Sequence, residues 1–265
     1  MDSVILESVS KVFRHRAALF NWMGRERRGE TRALENVSLA VGKGRVLAIL
    51  GPNGSGKTSL LKLVSTMLLP DSGRVLVEGF DTSSDADRVH THVGFAVATE
   101  RSFFPRLSAR ENLDFFATLD DVPRKSRAGR VADLLRRTGL ADAADTLVMK
   151  FSSGMYQRLG IARALMKEPS VILLDEPTRS LDPASAAHFW GLVRELPAHQ
   201  ATVVLATHSF AEALAVGDDL AILHAGRLAA HRINNLAGVE ALRNFYFETT
   251  GEVDEQAQLV SGSSR

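Results

Sequence analysis

Apolar residues along the chain follow two spacings, and each spacing predicts a kind of element. Continuous apolar runs at 46–50 and 171–174 predict strands buried on both faces of a sheet. A hairpin is predicted where 220–224 and 227–231 flank Ala225 and Gly226. Shorter apolar stretches between turn residues predict further strands at 4–12, 37–41, 75–78, 93–97 and 202–206.

Stretches with helical spacing separate these strands. Apolar residues at 60–68 predict a helix directly after residue 58. Ser108 and Glu111 form a capping-box pattern ahead of an apolar helix, and a further helix over 127–138 ends at Gly139. The region of about 105–168 is therefore expected to be a helical insertion between strands.

Helix starts are also predicted in the last third of the chain. Asp182 and Pro183 match an N-cap followed by a first-turn proline, and Ser209 and Glu212 repeat the capping-box pattern. The segment 236–265 is expected to hold a C-terminal helix and a disordered tail, because the composition turns polar beyond residue 252. The alternation of strands and helices predicts an α/β fold.

Composition narrows the class of protein. The chain has 265 residues, ordinary hydrophobic and charged fractions of 45% and 24%, and a net charge of only +1, which supplies no general attraction for nucleic acid. Cysteine is absent, so disulfides and thiolate metal sites are excluded. No apolar run approaches the about 18 residues of a membrane span, and no signal-peptide pattern is present. We therefore expect any action on a membrane to pass through a partner.

A glycine-rich stretch between the strand at 46–50 and the following helix carries the strongest chemical signal. It fits the pattern GxxxxGK[ST] and consists of Gly51, Pro52, Asn53, Gly54, Ser55, Gly56, Lys57 and Thr58. Its glycines let backbone N–H groups turn toward phosphate oxygens, and the helix points its positive end at the same anion. Lys57 adds charge for the outer phosphates, and Thr58 offers a hydroxyl to Mg²⁺. We predict a nucleotide site here that includes Ser59.

Asp175 and Glu176 come directly after the buried strand at 171–174, where ligands of open α/β sheets bind. Successive strand residues face opposite ways, so the two carboxylates can have different roles. Asp175 can hold Mg²⁺ through water, and Glu176 can polarise an attacking water. Carboxylates at a strand end more often cap the next helix, but the phosphate loop upstream favours the functional interpretation.

Two weaker signals leave alternatives open. His208 follows the strand at 202–206 and is either structural or a hydrogen-bond donor to a γ-phosphate. Ser152, Ser153 and Gly154 begin a helix, where they form either a simple N-cap or an anion site.

Together these motifs resemble the ATP-binding cassette family, the nucleotide-binding subunits of ABC transporters, over about 4–232. Phe13 stands where that family places an aromatic ring on adenine. The other correspondences are 51–58 with the Walker A loop, 171–176 with Walker B, 151–155 with the LSGGQ signature, 180–182 with the D-loop and His208 with the switch histidine. The resemblance implies a P-loop NTPase core with a mixed, mainly parallel sheet, an antiparallel β-subdomain and an inserted helical subdomain, all within 1–235.

The resemblance also implies a Mg²⁺-dependent ATPase that works as a dimer. Lys57, Glu176 and His208 would then be catalytic, and Thr58 and Asp175 would hold Mg²⁺. Two ATP molecules would lie in a head-to-tail pair, with one copy's signature and D-loop facing the other copy's nucleotide. The residues implied for this contact are Ser152, Ser153, Gly154 and Asp182.

The sequence departs from the family pattern in two places. The signature reads Phe-Ser-Ser-Gly-Met, yet Ser152 and Gly154 keep the hydroxyl and the close backbone approach. After the strand at 93–97 the family carries a glutamine that senses Mg²⁺, whereas this chain has Ala98, Thr99 and Glu100. Glu100 either replaces that glutamine as a metal ligand or leaves the position vacant.

The stretch 100–107, followed by 111–113, resembles the subunits that serve ABC-2-type exporters. This implies export, separate membrane permease subunits and a location at the cytoplasmic face of the membrane. Phe103 and Phe104 either line the groove for a permease helix or belong to the core. The basic segment 14–32 is either a solvated loop or an amphipathic segment that touches lipid headgroups.

Two other classes are alternatives. Soluble ABC-type ATPases that act on nucleic acid or ribosomes usually carry two cassettes, a coiled coil or a basic groove, whereas this sequence has one cassette and no sustained heptad pattern. We therefore expect no nucleic-acid partner. A regulatory module that no longer hydrolyses ATP is opposed by Asp175, Glu176 and His208.

Overall fold

The computed structural model describes residues 1–15, 29–97, 103–179 and 181–252. Three sequence predictions lie wholly or largely outside these residues. They concern Glu100 as a metal ligand, the basic segment 14–32 and the tail after residue 252.

The first half of the chain is rich in strands. Its elements are β1 (Asp2–His15), β2 (Gly29–Gly42), β3 (Val46–Leu50), α1 (Lys57–Val64), β4 (Ser72–Val77), β5 (Phe80–Asp81), α2 (Ala86–His92) and β6 (Val93–Val97). The second half begins with helices and returns to strands. Its elements are α3 (Ala109–Leu119), α4 (Arg124–Arg137), α5 (Ser153–Ala164), β7 (Val171–Asp175), α6 (Pro183–Glu195), β8 (Thr202–Thr207), α7 (Phe210–Val216), β9 (Asp219–His224), β10 (Arg227–Ile233) and α8 (Val239–Thr250).

The strands form two sheets. An antiparallel sheet has the order β2-β1-β4-β5, and a larger sheet has the order β10-β9-β3-β8-β7-β6. All pairings in the larger sheet are parallel except that between β10 and β9. The predicted α/β fold, with a mainly parallel sheet and a separate antiparallel one, is confirmed. None of the described helices is both long and apolar enough to cross a bilayer.

The larger sheet separates two apolar cores. Every residue of β3 is buried, as expected for a parallel strand that is covered on both faces. Val46, Ala48 and Leu50 pack into the core shared with α3, α4 and α5, whereas Leu47 and Ile49 pack into the core shared with α1 and the antiparallel sheet. The continuous apolar run in the sequence therefore reflects burial on both faces rather than one.

The parallel register brings three strand ends to one edge of the sheet. Leu50 of β3 pairs with Thr207 of β8, and Asp175 of β7 pairs with Ala206 of the same strand. The residues that follow β3, β7 and β8 must therefore emerge side by side, which is where α/β folds bind ligands.

Three helices differ from the sequence expectation, and the smallest difference is in α4, which spans Arg124–Arg137 instead of 127–138. α1 ends at Val64 instead of reaching residue 68, and Met67 beyond it is 58% exposed. α2 was not predicted, because Val89 is its only buried residue and one apolar position gives no periodic signal.

The predicted capping box at the start of α3 is confirmed. The Glu111 N–H donates to Ser108 Oγ over 3.2 Å, and the Ser108 N–H donates to Glu111 Oε2 over 2.7 Å. Each residue thereby satisfies a backbone donor of the other at a helix end that lacks intrahelical partners.

We predict that Ser108→Ala lowers the free energy of unfolding by about 1 kcal/mol, because a backbone donor loses its acceptor. Urea denaturation measures this loss. Ser126→Ala is the matched control, since that exposed hydroxyl only donates to the Pro123 carbonyl. Equal losses in the two variants would contradict the assigned cap.

Candidate functional site

The phosphate-binding loop between β3 and α1 is too tightly enclosed for side chains at two of its glycines. A Cβ atom on Gly51 would lie 2.2 Å from the Leu223 carbonyl oxygen and 2.6 Å from Ser55 Oγ. Gly56 has a φ of 107°, and a Cβ there would lie 2.3 Å from the Ala33 carbonyl oxygen. Both positions therefore require glycine, for lack of space and, at Gly56, also for backbone conformation.

The loop leads directly into the N-terminus of α1. Gly56 is the N-cap, and no side chain caps this helix, so its first-turn N–H groups are suited to an anion. Lys57 Nζ donates to the carbonyls of Gly51 at 2.6 Å and Pro52 at 3.2 Å. Burial lowers the pKa of Lys57, while the nearby Glu176 and Asp175 carboxylates oppose that effect.

Asp175 ends β7 beside the same loop. Its Oδ2 accepts a hydrogen bond of 2.8 Å from Thr58 Oγ1, while its Oδ1 is buried without a partner in the part of the chain that the structure describes. Burial raises the pKa of Asp175, and the bond from Thr58 partly offsets this shift.

The donors at this position fit Mg²⁺. That ion prefers oxygen ligands and is usually held by one or two carboxylates together with substrate phosphates and water. Thr58 and Asp175 supply a hydroxyl and a carboxylate, and Asp175 Oδ1 is free to accept a cation. Within the described ranges no cluster of three or more His, Asp or Glu side chains offers a complete protein cage for a metal.

Glu176 is held in an unusual backbone conformation. Its φ is 52°, in the left-handed region that costs a residue with a side chain about 1–2 kcal/mol. The Glu176 N–H donates to the Ala206 carbonyl of β8 over 2.9 Å. Its Oε2 lies 2.6 Å from His208 Nδ1, and its Oε1 lies 3.9 Å from Lys57 Nζ. Two of the three predicted catalytic side chains, Glu176 and His208, are therefore in direct contact.

Residues of the phosphate loop, Asp175 and Glu176 border one cavity of about 430 Å³, whereas His208 is not among its lining residues. The predicted site residues that line it are Phe13, Asn53, Gly54, Gly56, Lys57, Thr58, Ser59, Asp175 and Glu176. Phe13 reaches the cavity from β1. The structure therefore brings together residues that are up to 163 positions apart in the sequence, from Phe13 to Glu176.

Sequence reasoning missed four residues that line the cavity, namely Thr31, Ala33, Lys62 and Arg179. Thr31 is there because it pairs with Phe13 across the β1–β2 ladder. Lys62 lies four positions after Thr58 on α1, a helical spacing that was a usable signal. Arg179 follows Glu176 by three positions and had no distinguishing pattern.

Other predicted residues do not line this cavity. Ser152 Oγ accepts from the Met155 N–H over 3.2 Å at the exposed start of α5, next to Ser153 and Gly154. Asp182 caps α6 by accepting from the N–H groups of Ala184 and Ser185, and its hydrogen bonds with Ser185 lower its pKa. The observed contacts of Ser152 and Asp182 are those of helix caps, so their role at a nucleotide stays a prediction.

The predicted capping box at Ser209 is wrong in one half. Ser209 Oγ does accept from the Glu212 N–H over 3.2 Å, but the Glu212 side chain does not return the bond. Glu212 as a residue is 1% exposed, and its carboxylate accepts from Trp190 Nε1 of α6 over 3.4 Å. Burial raises the pKa of Glu212, and hydrogen bonds with Thr207, Thr178 and Trp190 oppose that shift. Contact with a distant tryptophan gave no local signal in the sequence.

The fold and the site define a P-loop nucleotide-binding protein. The model of the ABC transporter family matches residues 34–179, more than half of the chain. The chain therefore belongs to the ABC transporter family, as one of its ATP-binding proteins, which are ATPases.

Two curated relatives illustrate this membership. The chain is 36% identical over 197 residues to the ABC transporter ATP-binding protein NatA of Bacillus subtilis, covering 74% of this chain and 80% of the relative. It is 38% identical over 208 residues to the daunorubicin resistance ATP-binding protein DrrA3 of Streptomyces coeruleorubidus, covering 78% and 66%. Relatives of similar identity include a Nod factor export protein of Ralstonia nicotianae, at 34%, and a methionine import protein of Rhodococcus jostii, at 37%.

Among solved structures, the chain is similar to a dimeric ATP-binding cassette in a post-hydrolysis state, bound to ADP and Pi. The TM-score is 0.75 with 28% identity, over 88% of this chain and 99% of the other.

We predict that Glu212→Gln changes how stability depends on pH. Because the folded-state pKa of Glu212 is raised, the unfolded chain releases this proton first as pH rises, and stability falls from about pH 4.5 until the folded-state pKa is reached. The neutral amide removes this fall, so the variant gains free energy of unfolding relative to wild type across that window.

Urea denaturation at a series of pH values measures the difference. The control is Glu240→Gln, which replaces an exposed glutamate in the first turn of α8. A Glu212→Gln difference that is the same at every pH would contradict a raised pKa at this position.

Proposed function

We propose that this chain hydrolyses ATP, with Mg²⁺ as cofactor, to power transport through separate membrane permease subunits. The observation that carries this proposal is the convergence of the phosphate loop, Asp175 and Glu176 on one cavity of about 430 Å³, with His208 in contact with Glu176.

The residue roles follow from this geometry and from the requirements of phosphoryl transfer. Lys57 and the N-terminus of α1 bind the phosphates and stabilise charge on the transferred group. Thr58 and Asp175 hold Mg²⁺, which supplies further charge compensation when bound. Glu176 orients the attacking water and accepts its proton, and His208 fixes the Glu176 carboxylate through the contact of 2.6 Å.

A second copy completes the site in this proposal. Ser152, Ser153 and Gly154 lie at the N-terminus of α5, outside their own nucleotide cavity. A helix start of this kind binds anions, so it is available to the phosphates held by another subunit. The dimeric form of the cassette bound to ADP and Pi supports the same arrangement for this chain.

A permease fits an apolar surface around α3. Phe103 is 7% exposed and packs edge-to-face on Phe116, so it belongs to the core. Phe104 is 44% exposed and stacks edge-to-face on the exposed Phe115, with ring centroids 4.8 Å apart. Exposed aromatic side chains of this kind favour a protein partner. We infer that Phe104 and Phe115 receive a permease helix, and that the chain acts at the cytoplasmic face of the membrane.

Export is the direction we propose. It is supported by the resemblance of 100–107 and 111–113 to subunits of ABC-2-type exporters and by the relative named for Nod factor export. Because another relative is named for methionine import, the direction of transport has to be measured in the reconstituted transporter.

We predict that Glu176→Gln retains ATP binding, accumulates as an ATP-bound dimer and loses turnover by at least about 100-fold, because the amide cannot accept the proton from water. Steady-state ATPase assays and size-exclusion chromatography with ATP measure these effects. Glu240→Gln is the control and should hydrolyse ATP as wild type does. A Glu176→Gln variant that stays monomeric and hydrolyses ATP at the wild-type rate would contradict the role of Glu176 in activating water.

We predict that Lys57→Ala weakens nucleotide binding itself by about 10- to 100-fold, the loss expected for hydrogen bonds to a charged group. Titration calorimetry with ATP and Mg²⁺ measures the affinity. The exposed Lys150→Ala is the matched control. An unchanged affinity in Lys57→Ala would contradict the phosphate-binding role.

A further inference from the structure

We propose that Gln157 is a positioning residue that holds Glu176 in its orientation for hydrolysis. The inference rests on the proposed function of Glu176 and adds a residue of α5 to that site.

Gln157 contacts the backbone of Glu176 directly. The side chain of Gln157 is buried, with 5% of the residue exposed, and its Nε2 donates to the Glu176 carbonyl oxygen over 3.2 Å. Only the NH₂ end of the amide can donate to a carbonyl, so the orientation of the amide is determined by this contact.

A contribution to fold stability does not explain why a polar Gln157 side chain is buried at this position. The Glu176 carbonyl already accepts from the Arg179 N–H over 3.2 Å, so it has a partner without Gln157. The Gln157 Oε1 atom is buried and has no hydrogen-bond partner among the described residues. A buried polar group that is only half satisfied costs stability, and such groups call for another explanation.

Positioning supplies that explanation. The backbone of Glu176 is in the left-handed region, so the direction of its carboxylate depends on how the peptide units on both sides are held. The Glu176 N–H donates a hydrogen bond to the Ala206 carbonyl of β8, and the Glu176 carbonyl accepts a hydrogen bond from Gln157 Nε2. The two contacts come from separate elements and fix the turn on both sides.

The position of Gln157 in α5 gives this contact a second consequence. Gln157 lies within two turns of Ser152, Ser153 and Gly154, which begin the same helix. The helix proposed to face the partner's nucleotide therefore also holds the catalytic glutamate of its own subunit.

The test is the Gln157→Met variant, which keeps side-chain length and removes the donor. We expect kcat to fall by about 10- to 100-fold, as for a misplaced catalytic group, while the affinity for ATP with Mg²⁺ stays within about 2-fold of wild type. Thr138→Val is the matched control, because it removes a buried side-chain donor to the Leu134 carbonyl in α4 and should leave kcat unchanged.

Glu176→Gln, assayed in parallel, separates the possible failures. If Glu176→Gln is inactive and Gln157→Met keeps kcat within about 2-fold of wild type, the positioning role is overturned and the proposed function stands. Equal losses of ATP affinity and kcat in Gln157→Met would also overturn the positioning role, because they would indicate that Gln157 stabilises the fold as a whole. If Glu176→Gln hydrolyses ATP normally, the proposed function fails and this inference fails with it.

Discussion

The parallel register of β3, β7 and β8 is the constraint on which the site depends. Leu50 pairs with Thr207, and Asp175 pairs with Ala206, so the residues that follow these strands emerge at one edge of the sheet. The register is itself strongly specified, since a shift of one residue would exchange the side chains that face the two apolar cores. The burial that stabilises the sheet thereby also fixes the distance between the phosphate loop and the carboxylates.

Several residues around this edge have unfavourable backbone conformations or buried carboxyl groups, which a stable core alone would not require. Glu176 adopts a left-handed backbone conformation, and burial raises the pKa values of Asp175 and Glu212. Each state is opposed by specific contacts, including those of Thr58 with Asp175 and of Trp190 with Glu212. Strain and shifted pKa values of this kind concentrate at functional sites.

Much of the site could be predicted because its signals are local. The phosphate loop and the pair Asp175–Glu176 can be recognised from short stretches of neighbouring residues. A buried strand can be recognised from its run of apolar residues. Contacts between distant segments gave no such signal. Thr31 comes to the cavity beside Phe13, with which it pairs across the β1–β2 ladder. Glu212 turns from its capping position toward Trp190. The role proposed for Gln157 likewise depends on a contact between distant segments, because the Glu176 carbonyl in the turn after β7 lies beside α5.

We propose that one chain supplies only half of each hydrolytic site and that a second copy supplies the other half. Mixing Lys57→Ala with Ser152→Arg tests this directly, because a head-to-tail heterodimer places both lesions in one site and leaves the other intact. With random pairing of equal amounts, half the dimers carry one intact site of two, so the ATPase rate should reach about a quarter of wild type while each variant alone is nearly inactive. A mixture no more active than the average of the two separate variants would contradict the composite site.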